Sequence, residues 1–138
     1  MAGNLAQDIE SKILDAVFNG GSYSGGSIYV GVATAPIASG DGLADITEEA
    51  DSGYQRVTAT FTAPSVVNGK TVISNVSTIN IGTWDANAAS PITHGFITDA
   101  QTGTTGDVLA WFEFVEPYSP EAGGVIQIPV GSLEVTLN

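Results

Sequence analysis

The segment Ser27-Ile28-Tyr29-Val30-Gly31-Val32-Ala33-Thr34 decides the fold class of this chain. Its branched apolar residues Ile28, Val30 and Val32 recur at every second position. Successive side chains of a β-strand point to opposite faces of the sheet, so this alternation is typical of a strand. We therefore predict a strand over residues 27–34.

Strand-like patterns continue towards the C-terminal end of the sequence. The further predicted strands are Tyr54–Thr62, Thr71–Ile81 (two strands, or one strand bent at Asn75), Ile92–Thr98, Val108–Val115, Gly124–Pro129 and Leu133–Leu137. Turn-forming residues such as Asn68-Gly69 separate them. Short strands joined by glycine-rich turns predict a mainly β fold, either an antiparallel β-sandwich or a small barrel.

On the N-terminal side the apolar period changes to that of a helix. Leu5, Ile9, Ile13 and Val17 recur at every fourth position, which places them on one face of a helix over residues 5–18. Asn4 is expected to cap its start, and Asn19-Gly20-Gly21 to end it. A helix this short is marginal alone, so we expect its apolar face to dock on the sheet or on a neighbouring subunit. These four residues are the first candidate contacts.

The composition limits the classes of partner. The 138 residues suit a single domain, and the 15 acidic residues outweigh the 3 basic ones to give a net charge of −12. Such a surface repels phosphate groups, so we expect no nucleic acid and no membrane as partners. The chain contains no cysteine, which fits folding in a reducing cytoplasm. Asp8 and Glu10 stand where a signal peptide is apolar, so export by that route is not expected.

The polar connection Pro36–Gly53 is a second candidate contact region. Its acidic residues are Asp41, Asp45, Glu48, Glu49 and Asp51, with no basic residue among them. Oxygen ligands clustered in one loop suit Ca²⁺, although the spacing matches no EF-hand. A solvated loop and a partner-facing arm are the alternatives. We expect no cofactor, and Ca²⁺ stays open for this loop alone.

Two aromatic residues complete the candidate contacts. Tyr54 and Trp84 carry flat side chains of the kind that anchor protein interfaces. The alternative is that they are core or rim residues of the sheet.

We expect no enzymatic activity. The single histidine, His94, lies in the alternating stretch Ile92–Ile97, as an ordinary strand residue would. Glu113 and Glu116 are three residues apart, and on a strand they would face opposite sides instead of flanking one substrate bond.

Several stretches together resemble small structural proteins of tailed-phage virions, of the head decoration (cement) or tail-fibre-like kind. The likeness is carried by Leu14–Gly20, Ile28–Val32, Gly53–Val57, Ile92–Ala100, Thr102-Gly103, Val108–Ala110 and Ile128–Leu133. Residues 41–51 and 85–90 depart from that pattern.

The resemblance implies a virion protein that is assembled in the host cytoplasm. Its implied partners are the phage major capsid protein or other virion proteins. The resemblance also implies a homo-oligomer, for which a trimer is one form. We expect a capsid decoration protein that stabilises the head, and the alternative is a tail or tail-fibre component involved in host-surface attachment.

Overall fold

The computed structural model describes residues 1–137. Its elements in chain order are β1 (Ala2–Leu5), α1 (Gln7–Phe18), β2 (Tyr29–Ala33), a 3-10 helix (Leu43–Asp45), β3 (Val57–Thr58), β4 (Ser65–Val67), β5 (Lys70–Ser74), β6 (Ile79–Ile81), β7 (Ile92–Thr98), β8 (Val108–Tyr118), β9 (Ile126–Ile128) and β10 (Glu134–Leu137).

Eight strands form one sheet in the order β3-β2-β7-β8-β1-β10-β5-β4. Neighbouring strands are antiparallel except β1 and β10, which are parallel. Strands β6 and β9 form a separate two-stranded antiparallel sheet. The strands β3 and β4 lie at the two ends of the large sheet, so the sheet is open. The prediction of a mainly β, antiparallel sandwich-type fold with one N-terminal helix is confirmed, and the barrel alternative is not what forms.

Buried residues form clusters on both faces of the large sheet. One cluster joins the large sheet to the small one and includes Val30, Val32, Ile81, Trp84, Ile97, Phe112, Ile128 and Leu133. The other lies under α1 and the connection after β2, and includes Ala6, Ile9, Ala33, Ile37, Leu43, Phe96 and Val108. Phe96 and Ile97 are neighbours in β7 and belong to different clusters, because successive strand residues face opposite sides. The central strands are therefore buried on both faces.

Two glycines make room for aromatic rings in these central strands. Gly31 in β2 is the register partner of Phe96, and Gly95 in β7 is the partner of Phe112. A Cβ at either glycine would overlap the ring of its partner. The rings therefore lie across the neighbouring backbone, which explains glycine inside buried strands.

The start of the helix is a correction to the sequence prediction. The helix begins at Gln7, whereas Leu5 belongs to β1 and pairs with Ala110. Asn4 also lies in β1 and pairs with Trp111 of β8. Ala6 precedes the helix and provides no side-chain cap. Residues 2–5 lie between β8 and β10, and the hydrogen bonds of that ladder override the local helical pattern.

The predicted break at Asn75 is confirmed, because β5 ends at Ser74 and β6 begins at Ile79. The Asn75 side chain is 1% exposed. Its amide donates to the carbonyl oxygens of Ser77 (2.8 Å) and Pro129 (2.9 Å) and accepts from the N–H of Leu133 (2.9 Å). A buried side chain thus replaces ladder hydrogen bonds where the chain passes from one sheet to the other.

The stretch 54–67 also differs from its prediction. The expected strand Tyr54–Thr62 is reduced to β3 (Val57–Thr58), and Phe61 makes an isolated bridge to Asn75. Strand β4 (Ser65–Val67) was not predicted; it pairs with β5 through the turn at Asn68-Gly69. Both residues of that turn have positive φ values, 51° and 76°, which suits a tight hairpin.

Neither helix within residues 1–137 has the length and apolar content to cross a bilayer.

Candidate functional site

The four predicted helix residues divide between the core and the surface. Ile9 is 7% exposed and Val17 is 66% exposed, while Leu5 and Ile13 are half-buried. The helix starts against β8, where the N–H of Ala6 donates to the carbonyl oxygen of Leu109 at 3.1 Å. The helix is therefore buried near its start and exposed in its last turn.

The far end of α1 presents further apolar side chains to solvent. Leu14 is 58% exposed and Phe18 is 76% exposed. We call the exposed residues Leu14, Val17 and Phe18 the helix-end patch. Exposed apolar patches are candidates for protein contact when they are large and contiguous.

An apolar groove lies between Ile13 of α1 and the strands β5 and β10. It has a volume of about 180 Å³ and is lined in part by Leu5, Ile13, Pro64, Ile73, Val135 and Leu137. None of its lining residues is charged. Ile13 and Leu137 also border a second depression with Leu14 and the acidic Glu10. The groove and the helix-end patch are therefore continuous.

The acidic connection 36–53 is an ordered segment of the fold. Four of its carboxylates accept hydrogen bonds from backbone N–H groups of the same segment: Asp41 from Ala38 (2.8 Å), Asp45 from Gly42 (3.0 Å), Glu49 from Ala50 (2.8 Å) and Asp51 from Gly53 (2.8 Å). Ile37 and Leu43 from this segment are buried in the core. Its predicted contact residues thus hold the backbone of the segment in place. Asp45 is exposed, whereas Oε2 of Glu49 is buried without a hydrogen-bond partner in the described part of the chain.

Glu48 of this segment forms an ion pair with Arg56. Arg56 Nε donates to Glu48 Oε1 at 2.8 Å, and Nη2 donates to Oε2 at 2.7 Å. The same guanidinium donates to the carbonyl oxygens of Ala100 (2.9 Å) and Gly103 (2.8 Å). The Arg56 side chain is only 4% exposed, and its hydrogen bonds with Glu48 raise the pKa of Arg56. Arg56 thus joins the acidic segment to the loop after β7.

Tyr54 extends this network towards β2. Its hydroxyl donates to Glu48 Oε1 at 2.8 Å and accepts from the N–H of Val32 at 3.0 Å. Burial, followed by the neighbouring Glu48 charge, raises the pKa of Tyr54 far above its usual range. The cleft of about 220 Å³ at this point is lined in part by Glu48, Tyr54, Arg56 and Gly103.

Trp84 does not lie on the surface. It is 1% exposed and its ring centroid is 5.9 Å from that of Tyr54. A Cβ at Gly82 would collide with the indole ring, so Trp84 is enclosed by its own chain. The sequence allowed Trp84 to be either an interface anchor or a core or rim residue, and the structure shows that it is a core residue.

Asp51, the remaining acid of the segment, binds a second loop. It accepts from the N–H groups of Asp85 (2.8 Å), Gly53 (2.8 Å) and Ala86 (3.2 Å). These hydrogen bonds, with that from Asp85 first, lower the pKa of Asp51.

Of the residues considered for chemistry, His94 in β7 and Glu113 in β8 are register partners. His94 is 7% exposed and its Nδ1 lies 2.8 Å from the hydroxyl of the adjacent Thr93. Within the described part of the chain, no group of three or more His, Asp or Glu side chains is placed to hold a metal ion.

Sequence reasoning missed the groove and the strand β4 that borders it. Val66 in β4 is 72% exposed. A signal was available in the sequence, because residues 57–69 contain no charged residue in a chain with 15 acids.

The model of the family described as podophage GP4 fiber I protein gp80 matches residues 4–136. No curated protein matches the chain.

Proposed function

The chain belongs to the family of the podophage GP4 fiber I protein gp80, whose match covers residues 4–136 of 138, and on that premise we propose that it is a fibre component of a tailed-phage virion. Membership makes it a virion structural protein that associates with other virion proteins. The family match is the observation that carries the proposal. It favours the fibre role over the capsid decoration role that the resemblance first indicated.

The surface of the molecule supports a role in adhesion. The helix-end patch and the uncharged groove are continuous, and interface cores are typically depleted of charge. The acidic segment is fixed by Arg56 and by its own carboxylates. A prearranged surface loses little conformational entropy on binding. Many copies that each bind a partner with modest affinity would together bind tightly, because multivalency multiplies weak contacts.

We propose in addition that the protein is not an enzyme and uses no cofactor. An adhesive role requires buried area and needs no nucleophile. His94 fits this proposal as a structural strand residue, because it is 7% exposed and lies 2.8 Å from the adjacent Thr93 hydroxyl. Assembly in the host cytoplasm is part of the same proposal, as the absence of cysteine suits a reducing compartment.

The test is binding of the purified chain to two kinds of particle of the phage that encodes it. One kind is complete except for this chain, and the other is an isolated head without decoration. We expect stoichiometric binding to the first and none to the second, measured by co-sedimentation. Binding to isolated heads alone would contradict the fibre role and restore the decoration role.

A variant of α1 tests the predicted helix contact. Val17→Ser removes an exposed apolar side chain and should leave folding unchanged, since Val17 is 66% exposed. We expect weaker co-sedimentation with the particles. The matched control is Val130→Ser, at a position 61% exposed outside the helix. Equal binding by both variants would exclude Val17 as a contact.

A further inference from the structure

We propose that a cavity beside strand β9 binds a basic, extended peptide segment of another protein. The cavity has a volume of about 320 Å³ and is lined by Phe114 and Tyr118 of β8 and by Val125, Ile126 and Gln127. We call it the edge cavity. The bound segment adds a strand to β9 and places a Lys or Arg side chain against the two rings. The inference goes beyond the fibre role, because it names the chemistry of a partner and holds wherever the chain lies in the virion.

One wall of the edge cavity is the free edge of β9. The small sheet consists of β6 and β9, so the side of β9 that faces away from β6 has no strand partner within residues 1–137. Val125, Ile126 and Gln127 are consecutive, and successive side chains of a strand point to opposite faces. A cavity that all three residues line therefore runs along the strand edge. Peptides bind such edges by forming backbone hydrogen bonds as an added strand.

The other wall is a bulge in β8. Two register pairs flank the bulge, His94 with Glu113 and Ile92 with Tyr118. Between these pairs β7 advances by two residues and β8 by five. Strand β1 pairs with an earlier part of β8. Residues 114–117 therefore have no register partner in either neighbouring strand, and a bulge of this kind bends its strand out of the sheet.

The bulge makes aromatic rings accessible. Val115 is 89% exposed and Tyr118 is 46% exposed. Phe114 is half-buried, with its ring centroid 5.6 Å from that of Phe112. The faces of aromatic rings attract cations, and the stems of Lys and Arg pack on apolar surface. The rings of Phe114 and Tyr118 therefore suit the side chain of a Lys or an Arg.

The walls of the edge cavity carry negative charge. Residues 112–130, which include both walls and the connection between them, contain three acidic residues and no basic one: Glu113, Glu116 and Glu121. All three are exposed. The ion pairs within residues 1–137 are Lys12–Asp107 and Arg56–Glu48, so no cation of the described chain pairs with these carboxylates. A basic partner segment supplies the complementary charge, which favours its approach and its specificity.

The same charges argue against a second copy of this chain as the occupant. Each copy carries a net charge of −12, so copies repel each other at an acidic surface. The basic residues Lys12, Arg56 and Lys70 are far apart in the sequence, and no stretch of the chain is basic. The occupant therefore comes from a different protein.

Selection of peptides from a random displayed library against the full purified chain tests the proposal. We expect the enriched peptides to carry Lys or Arg at alternate positions, because alternate side chains of a strand share one face. Tyr118→Ser should weaken binding of the enriched synthetic peptide about tenfold. Glu116→Gln should weaken it about threefold and reduce its salt dependence. The matched controls are Tyr23→Ser, at a tyrosine 37% exposed, and Glu10→Gln, at an exposed acid of α1. Both should bind like the wild type.

Methylation of the peptide backbone tests the added strand itself. N-methyl groups on one set of alternate amides should abolish binding, because these amides donate to β9, whereas methyl groups on the other set should leave it unchanged. Circular dichroism checks that each protein variant is folded.

Several results would overturn the proposal. These are no enrichment, enriched peptides without basic residues, enriched peptides that match a stretch of this chain, equal effects of the two methylation patterns, and equal weakening by Tyr118→Ser and Tyr23→Ser. The measurement uses no virion particles, so this proposal and the fibre role can fail separately.

Discussion

Removing the Arg56 guanidinium should destabilise the fold more than any surface charge can. In Arg56→Met the stem is kept, while the hydrogen bonds to Glu48, Ala100 and Gly103 are lost. Removing one partner of a fully buried pair costs about 3–5 kcal/mol. Glu48 keeps a side-chain exposure of 28%, so water offsets part of that cost, and we expect a loss of about 2–3 kcal/mol.

The assay is urea unfolding followed by tryptophan fluorescence and circular dichroism. Lys70→Met is the matched control, because it removes a positive charge from an exposed side chain and should change the free energy of unfolding by less than about 0.5 kcal/mol. Glu48→Gln combined with Arg56→Met should cost less than the sum of the two single changes, because it removes the carboxylate that Arg56→Met leaves without its cation. A loss below about 1 kcal/mol for Arg56→Met, or strict additivity of the two changes, would refute the role assigned to this pair.

Two further predictions concern the loops. Hydrogen bonds lower the pKa of Asp51 in the folded state. The contribution of Asp51 to stability is therefore complete above the ordinary aspartate pKa of about 4 and is lost as the pH falls through the folded pKa. The free energy of unfolding should fall less on acidification in Asp51→Asn than in the wild type, and identical pH profiles would contradict this. Asn75→Ala leaves the carbonyl oxygens of Ser77 and Pro129 and the N–H of Leu133 without their partner, and should lower the free energy of unfolding by about 2–4 kcal/mol; a urea midpoint equal to the wild type would contradict it.

The sequence predicts those parts of the fold in which local pattern and tertiary contacts agree. Strand β7 has the predicted bounds, Ile92–Thr98, because its apolar residues are buried on both faces. The break at Asn75 was also predictable, since asparagine inside an apolar run favours an irregular backbone. The first residues of the chain were misread because the pattern at Leu5 fits a helix equally well. Only the hydrogen-bonded ladder with β8 and β10 shows that these first residues form a strand and not the start of the helix.

The candidate surfaces were predictable only in part. The period of α1 identified the apolar face, yet it could not show that Ile9 is buried while Val17 is exposed, because that depends on where the helix leaves the sheet. Trp84 illustrates the same limit, since an aromatic residue beside turn residues suits either an interface or a core. The hydrogen bonds of Arg56 could not be predicted from local pattern. The Glu48–Arg56 pair joins residues eight positions apart, and the carbonyl oxygens that also bind the guanidinium come from the loop after β7.

The most direct measurement of the central claim is a density map of the intact virion of the phage that encodes this chain. We expect density fitting this fold in a fibre, with protein surface in contact and no substrate bound. Density for the fold on the capsid shell alone, or its absence from the particle, would contradict the account.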